Sequence, residues 1–273
     1  MTPALLQAPA HWQSVEFVSD LHLQPRLEKT RQGLVQYLQH NTADAVFLLG
    51  DVFEVWVGDD SASSGFAAQG LALLQAAAQR QPLYFMAGNR DFLLSAQLLQ
   101  SVGITWLADP TVFEFGGERF LLSHGDQFCI DDLPYQKFRQ MVRDPQWQAA
   151  VLSRPLAERL ALAQNMREQS SGVHSNEPNA QDHWIDLNPD AVRQALNEAD
   201  ATTLIHGHTH APTCHALGRN ARGQALTREV LSDWDLDAPQ PRAEVFRLSI
   251  QASAAPRQPV TRARQSWPSP GAV

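Results

Sequence analysis

Short apolar runs, separated by amphipathic stretches, set the rhythm of this chain. Residues 15–19, 46–49, 83–87, 119–123 and 202–205 are four or five residues long and rich in β-formers, so they predict buried strands rather than helices. Between the first two, residues 27–39 carry Leu34, Val35 and Leu38 at helical spacing; residues 66–79 predict an alanine- and leucine-rich helix that Gln81-Pro82 closes. Residues 92–102 read as a further helix. Residues 112–115 and 119–123 flank Gly116-Gly117 as a hairpin with a two-residue turn. A short helix over 191–199 and closing strands at 230–231 and 244–250 complete the pattern, after a ragged start containing Pro3 and Pro9. The alternation of strand and helix predicts an α/β (α+β) fold.

From residue 133 the rhythm changes. Phe138, Met141 and Val142, then Leu152, Leu156, Leu160 and Ala163, fall at helical intervals with Arg139, Arg143, Arg154, Arg159 and Arg167 between them. The expected organisation is therefore a core formed by residues 12–132 and 183–251, with a helical cap inserted over 133–182. The end of the cap, SSGVHSNEPNAQD, predicts a mobile loop, and residues 252–273, rich in Pro and Arg without periodicity, predict a disordered tail.

The 273 residues are 44% hydrophobic and 18% charged, which excludes wholesale disorder. A formal net charge of -8 gives no general attraction for nucleic acid, so an anionic substrate must be held locally. Cys129 and Cys214 are too few for a disulfide framework, and nothing at the N-terminus reads as a signal peptide, which points to the cytoplasm. No run approaches the roughly 18 apolar residues of a membrane span, so membrane contact is expected to be peripheral.

The chemistry sits where the strands stop. The five apolar runs end in DLH, GD, GN, HGD and GHTH, and ligand sites in sheet-based α/β folds lie beyond the carboxyl ends of strands. Asp20 and His22 are two apart, as are His208 and His210, so each pair points to one side of extended backbone. Together with Asp51, Asn89 and His124 they make a mixed oxygen and nitrogen set, suited to ions such as Mn, Fe, Co or Zn rather than Ca or Mg. Seven ligands are too many for one such ion and apt for two that share a carboxylate, with Asp51 the natural bridge. Singly, a His after a strand or a Gly-Asp dipeptide is more often a turn or cap residue. The joint occurrence of all five ends carries the reading.

In this ordered set the chain resembles the calcineurin-like metallophosphoesterases, whose signature runs D-x-H, GD, GN-[HR]-[DE], H, GH-x-H over residues 20 to 210. The resemblance implies two mixed β-sheets face to face, flanked by helices, with one ion held by Asp20, His22, Asp51 and His210 and the other by Asp51, Asn89, His124 and His208. Where that family usually places His, this chain has Arg90, which binds phosphate oxygens but cannot give up a proton at working pH. A leaving group that needs no proton, such as a phosphate whose second pKa is about 6, fits better than an alkoxide.

The strings SDLHL, GDVFEVWVGDD, GNRDFLL, SHGDQFCIDDLPYQKFR, MREQS, LIHGHTHAPTCH and VLSDWD are similar to those of the UDP-2,3-diacylglucosamine pyrophosphatase family, over residues 15 to about 248. That resemblance implies a hydrolase whose metal-activated water attacks the α-phosphate of UDP-2,3-diacylglucosamine, giving UMP and 2,3-diacylglucosamine 1-phosphate in lipid A synthesis. It implies two divalent ions, manganese first, and peripheral attachment to the anionic cytoplasmic face of the inner membrane, with no obligate protein partner. Asp51, Asn89, Arg90 and His208 are the expected catalytic residues; Asn89, Arg90, Asp132, Ser170, Asn176 and His208 the expected substrate contacts. The chain departs from the family after Ser170, where a cap lysine is absent: its two lysines are Lys29 and Lys137, so phosphate binding by the cap is expected to pass to Arg167 or another arginine. Competing expectations are a soluble phosphodiesterase acting on another nucleotide and a non-catalytic scaffold of the same fold.

Overall fold

The computed structural model describes residues 3–174, 185–250 and 259–268. The expected buried strands form as β2 (Ser14–Val18), β3 (Ala45–Leu49), β4 (Leu83–Met86), β7 (Glu118–Ser123) and β8 (Thr203–His206). Strand β3 shows why both faces must be apolar: Ala45, Phe47 and Leu49 point to one layer, Val46 and Leu48 to another, and all five are buried.

Two mixed six-stranded sheets stack face to face. One sheet orders β1 (Ala4–Gln7), β6 (Thr111–Phe115), β7, β8, β10 (Ala225–Val230) and β9 (Thr213–Arg219). The other orders β12 (Val260–Ser266), β11 (Glu244–Ile250), β2, β3, β4 and β5 (Thr105–Leu107). Aromatic rings fill the space between them: Phe47 stacks on Phe17 with centroids 4.9 Å apart and meets Phe113 of the facing sheet at 4.9 Å. Helices α1 (Glu28–His40), α2 (Gly65–Ala78) and α3 (Ala96–Ser101) cover the outer face of the β2–β3–β4 layer through Leu34, Leu74 and Leu99. Helix α7 (Pro189–Glu198) covers the other sheet through Val192 and Leu196.

Strands β2, β3 and β4 run parallel in one sheet, β7 and β8 in the other, so their carboxyl ends share one rim of the sandwich. The insertion covers that rim as α4 (Leu133–Val142), α5 (Pro145–Leu152) and α6 (Leu156–His174). Val151, Trp147 and Leu162 pack against the core cluster, which seats the cap.

Three expectations need correction. The tail is not wholly without structure: β12 pairs antiparallel with β11 along its whole length, and Trp267 donates to Gly33 O at 3.0 Å and lies edge-on to Tyr37. Of its described residues, Arg262 pairs with Glu118 and Arg264 with Glu229 and Glu244, so these two are tied to the sheets. The ragged start contains a strand, β1, because residues 4–7 extend β6 in parallel. Helix α6 continues through residues 170–174 of the segment expected to be a loop; the rest of that segment lies outside the described residues.

Candidate active site

The five strand ends converge. His124 Nε2 stands 3.6 Å from Asp51 Oδ1, and His210 Nε2 stands 3.2 Å from Asp20 Oδ1, although about 190 residues separate the latter pair in the chain. Asn89 Oδ1 lies 2.8 Å from His124 Nε2 and 3.1 Å from His208 Nδ1. His22 Nε2 and His210 Nε2 face each other at 3.3 Å. All seven expected ligands therefore gather in one place.

The backbone is bent to achieve this. Asp20, His22, Asp51, His208 and His210 all have positive φ, between 45° and 69°, a region that non-glycine residues enter at a cost of about 1–3 kcal/mol each. Backbone bonds across the tips hold the strain: Asp20 N donates to Gly50 O, His22 N to Asp51 O and Gly207 N to His124 O, each at 3.0 Å. Two motif glycines are required by space. A Cβ on Gly50, at φ 92°, would overlap the His124 ring, and one on Gly207 would overlap Ser19 Oγ and the Asp20 carboxylate.

Supporting groups set the orientation of the ligands. His124 Nδ1 lies 3.0 Å from Leu49 O, so donation there leaves Nε2 to face the centre. Asp91, fully buried, accepts from Val52 N at 2.8 Å and Gly88 N at 2.7 Å, and so fastens the GD loop to the GN loop. Burial and the nearby Asp51 push its carboxyl up to about 6. Glu54 Oε2 lies 3.0 Å from His22 Nδ1, and Glu54 Oε1 lies 3.1 Å from the Arg167 guanidinium. Sequence reasoning left Glu54 without a role and did not single out Asp91; for Asp91 the usable signal was its place directly after Gly88-Asn89-Arg90.

The charge pattern suits a cation pair. Burial works against the ionised form of Asp20, but His210, His124 and His22 hold it well below the usual carboxylate range. Burial also opposes charge on His124, yet Asp51 and Asp20 push it up to about 9. Burial and the neighbouring His124 push His208 down to about 4, so its ring is neutral near neutral pH, the form that coordinates a metal. Asp20 Oδ1 is buried and meets no donor in hydrogen-bond geometry, with His210 Nε2 at 3.2 Å and His22 Nε2 at 4.0 Å. Such a cluster of inward lone pairs fits divalent ions. Two groupings have ligand atoms within 4.8 Å of one another: Asp20, His22 and His210; and Asp20, Asp51 and His124. Asp20 is common to both, while Asp51 joins the second.

Arg90 sits at the mouth of this centre, its Nε 4.0 Å from Asp51 Oδ2, buried and without a hydrogen-bond partner. From Asn89, Arg90 and His208 a cavity of about 470 Å³ runs under the cap, lined by Val55, Trp56, Phe92, Phe138, Trp147 and Met166 among others. Asp132 lines it too and caps α4 by accepting from Tyr135 N at 3.0 Å. Ser170 is a residue of α6; Asn176 lies outside the described residues.

The cap arginines, expected to flank the helices as a polar face, instead tie them down. Arg139 Nε donates to Asp126 Oδ2 at 2.9 Å, Arg143 donates to Gly88 O at 2.8 Å, and buried Arg159 pairs with Asp60 and Val57 O. Tyr135 OH also donates to Asp126, at 2.8 Å, and its ring lies 5.8 Å from that of His208.

The calcineurin-like phosphoesterase model matches residues 15–212. Curated relatives named UDP-2,3-diacylglucosamine hydrolase are 42% identical in Bordetella pertussis, over 88% of this chain and 91% of that one, and 43% identical in Stenotrophomonas maltophilia, over 80% and 90%. Another of that name, from Chromohalobacter salexigens, is 40% identical over 86% of this chain and 98% of its own. The match spans every strand end described above, and the chain belongs to the calcineurin-like phosphoesterase family, in the group whose curated members carry that name.

Proposed function

We propose that this chain is a hydrolase that cleaves the diphosphate of UDP-2,3-diacylglucosamine by water attack at the α-phosphate, releasing UMP and 2,3-diacylglucosamine 1-phosphate for lipid A synthesis. One observation carries the reading: the cavity that starts at Asn89, Arg90 and His208 continues as an apolar channel beneath the cap. A soluble nucleotide needs the polar end alone. A diacylated sugar needs both ends, and burying acyl methylenes at about 0.8 kcal/mol each gives the cap something to bind.

Asp20, His22, Asp51, Asn89, His124, His208 and His210 are the residues that would hold two divalent ions, manganese first; Asp51 is proposed as the shared carboxylate on the sequence resemblance, and Asp20 is the residue that both groupings of ligand atoms contain. Ions held by these residues would supply a lowered pKa to bound water and charge neutralisation at phosphoryl oxygens. Arg90, with a buried donor lacking a partner, is placed to bind a phosphate oxygen and stabilise charge on a leaving phosphate. Asn89 and His208, at the same end of the cavity, complete the polar grip, and Asp132 and Ser170 are proposed as sugar or phosphate contacts from α4 and α6. Asn176 is proposed on its sequence match, and the cap's phosphate contact is assigned to Arg167, which lines the cavity.

The cap helices and the segments beside them also expose Ile130, Leu133, Leu152, Leu160 and Ile185, between 42% and 65% accessible. Among the described residues no helix is long and apolar enough to cross a membrane. We assign this face to peripheral contact with the anionic cytoplasmic surface of the inner membrane, from which the substrate would enter the channel. The test is UMP release from UDP-2,3-diacylglucosamine and from UDP-N-acetylglucosamine with Mn²⁺ present. The proposal requires a strong preference for the diacylated substrate; equal rates would remove the channel from the mechanism.

A further inference from the structure

We infer that Glu54 is a positioning residue that couples the cap to the metal centre: it orients and polarises His22 through one carboxylate oxygen while Arg167 of α6 engages the other. The inference rests on the proposal above that His22 is a metal ligand. His22 Nδ1 is 3.0 Å from Glu54 Oε2, and His22 Nε2 points the opposite way, 3.3 Å from His210 Nε2 and 4.0 Å from Asp20 Oδ1. A ring nitrogen can coordinate through Nε2 when the proton is on Nδ1, and a carboxylate facing Nδ1 favours that tautomer and makes the ring a better donor.

Glu54 does not sit there by accident of packing. It is 9% exposed on a loop and lines the same cavity as Asn89 and Arg90. A carboxylate so placed costs desolvation free energy unless cations answer it. Arg167 supplies that charge at 3.1 Å from Glu54 Oε1, while His22 Nδ1 meets the other oxygen, Oε2. At the other imidazole of this half, Asp233 Oδ2 is 3.8 Å from His210 Nδ1, and Arg242 engages both oxygens of that carboxylate. Glu54 thus links α6, through Arg167, to His22.

The consequence differs from that of a substrate contact. Loss of Glu54 should weaken metal binding in the absence of substrate, whereas loss of Arg167 should act chiefly on KM. Mn²⁺ binding to the full chain, measured by titration calorimetry without substrate, is the direct readout, with melting temperature as a check on folding. Glu54→Ala should weaken Mn²⁺ affinity 10- to 100-fold, and Glu54→Gln, which keeps an acceptor but loses the charge, should fall between it and the parent. Arg167→Gln should leave Mn²⁺ affinity within about threefold and raise KM. His22→Ala serves as the control: if it leaves Mn²⁺ binding intact, the ligand assignment itself fails. If His22→Ala weakens binding while Glu54→Ala matches the parent, the assignment stands and the role given to Glu54 is overturned.

Discussion

The rim of strand ends and the cap that covers it are built on opposite principles. The rim is backbone-determined: Asp20, His22, Asp51, His208 and His210 adopt left-handed conformations, and main-chain bonds between the tips lock them. The cap is side-chain-determined: α4, α5 and α6 reach the core largely through Arg139, Arg143, Arg159 and Arg167 and through a seat of Trp147, Val151 and Leu162, and they leave large apolar residues exposed. Fixed charges that must meet within a few ångströms need the first kind of construction. A surface that must admit flexible acyl chains is better served by the second, because side-chain tethers adjust where a strained backbone cannot.

That contrast can be broken at either end. On the rim, Asp51→Asn keeps the shape and the acceptor facing Arg90 N, 2.9 Å away, but removes the shared charge. Activity should fall on the order of 1000-fold or more with the melting temperature little changed, since the expected cost is in charge stabilisation at the reacting phosphate. Steady-state assay beside thermal melting checks this; retained activity would deny Asp51 its bridging role. Under the cap, Leu162→Asp places a carboxylate in the apolar channel. KM for the diacylated substrate should rise about 10-fold with kcat within a few fold, because the lost interaction is uniform binding rather than transition-state stabilisation. A fall in kcat at unchanged KM would mean that the channel shapes the reaction centre itself.

The same division explains what could be read from the chain alone. Each ligand lies within a few residues of the end of an apolar run, so local pattern sufficed to find all seven, and the buried strands β2, β3, β4, β7 and β8 were legible for the same reason. Strand β9 was not: its residues TCHALGR alternate poorly because it is an edge strand with exposed faces. The cap tethers were hidden because their partners are remote, Arg159 and Asp60 standing 99 residues apart. Arginines in a periodic helix look like a solvated face until those partners are known. The tail misled in the same way, since Arg262 and Arg264 find Glu118, Glu229 and Glu244 only once the sheets have formed. Glu54 lay in a string that was noticed, but which ligand it faces depends on the turn between Asp51 and Trp56, and composition does not encode that.

The central claim is that widely separated strand ends create one centre for two divalent ions. Anomalous diffraction from crystals of the full chain grown with Mn²⁺ tests it most directly. Two peaks are expected about 3.5–4 Å apart, one against Asp20, His22 and His210 and the other against Asn89, His124 and His208, with Asp51 between them. A single peak, or peaks away from these side chains, would contradict it.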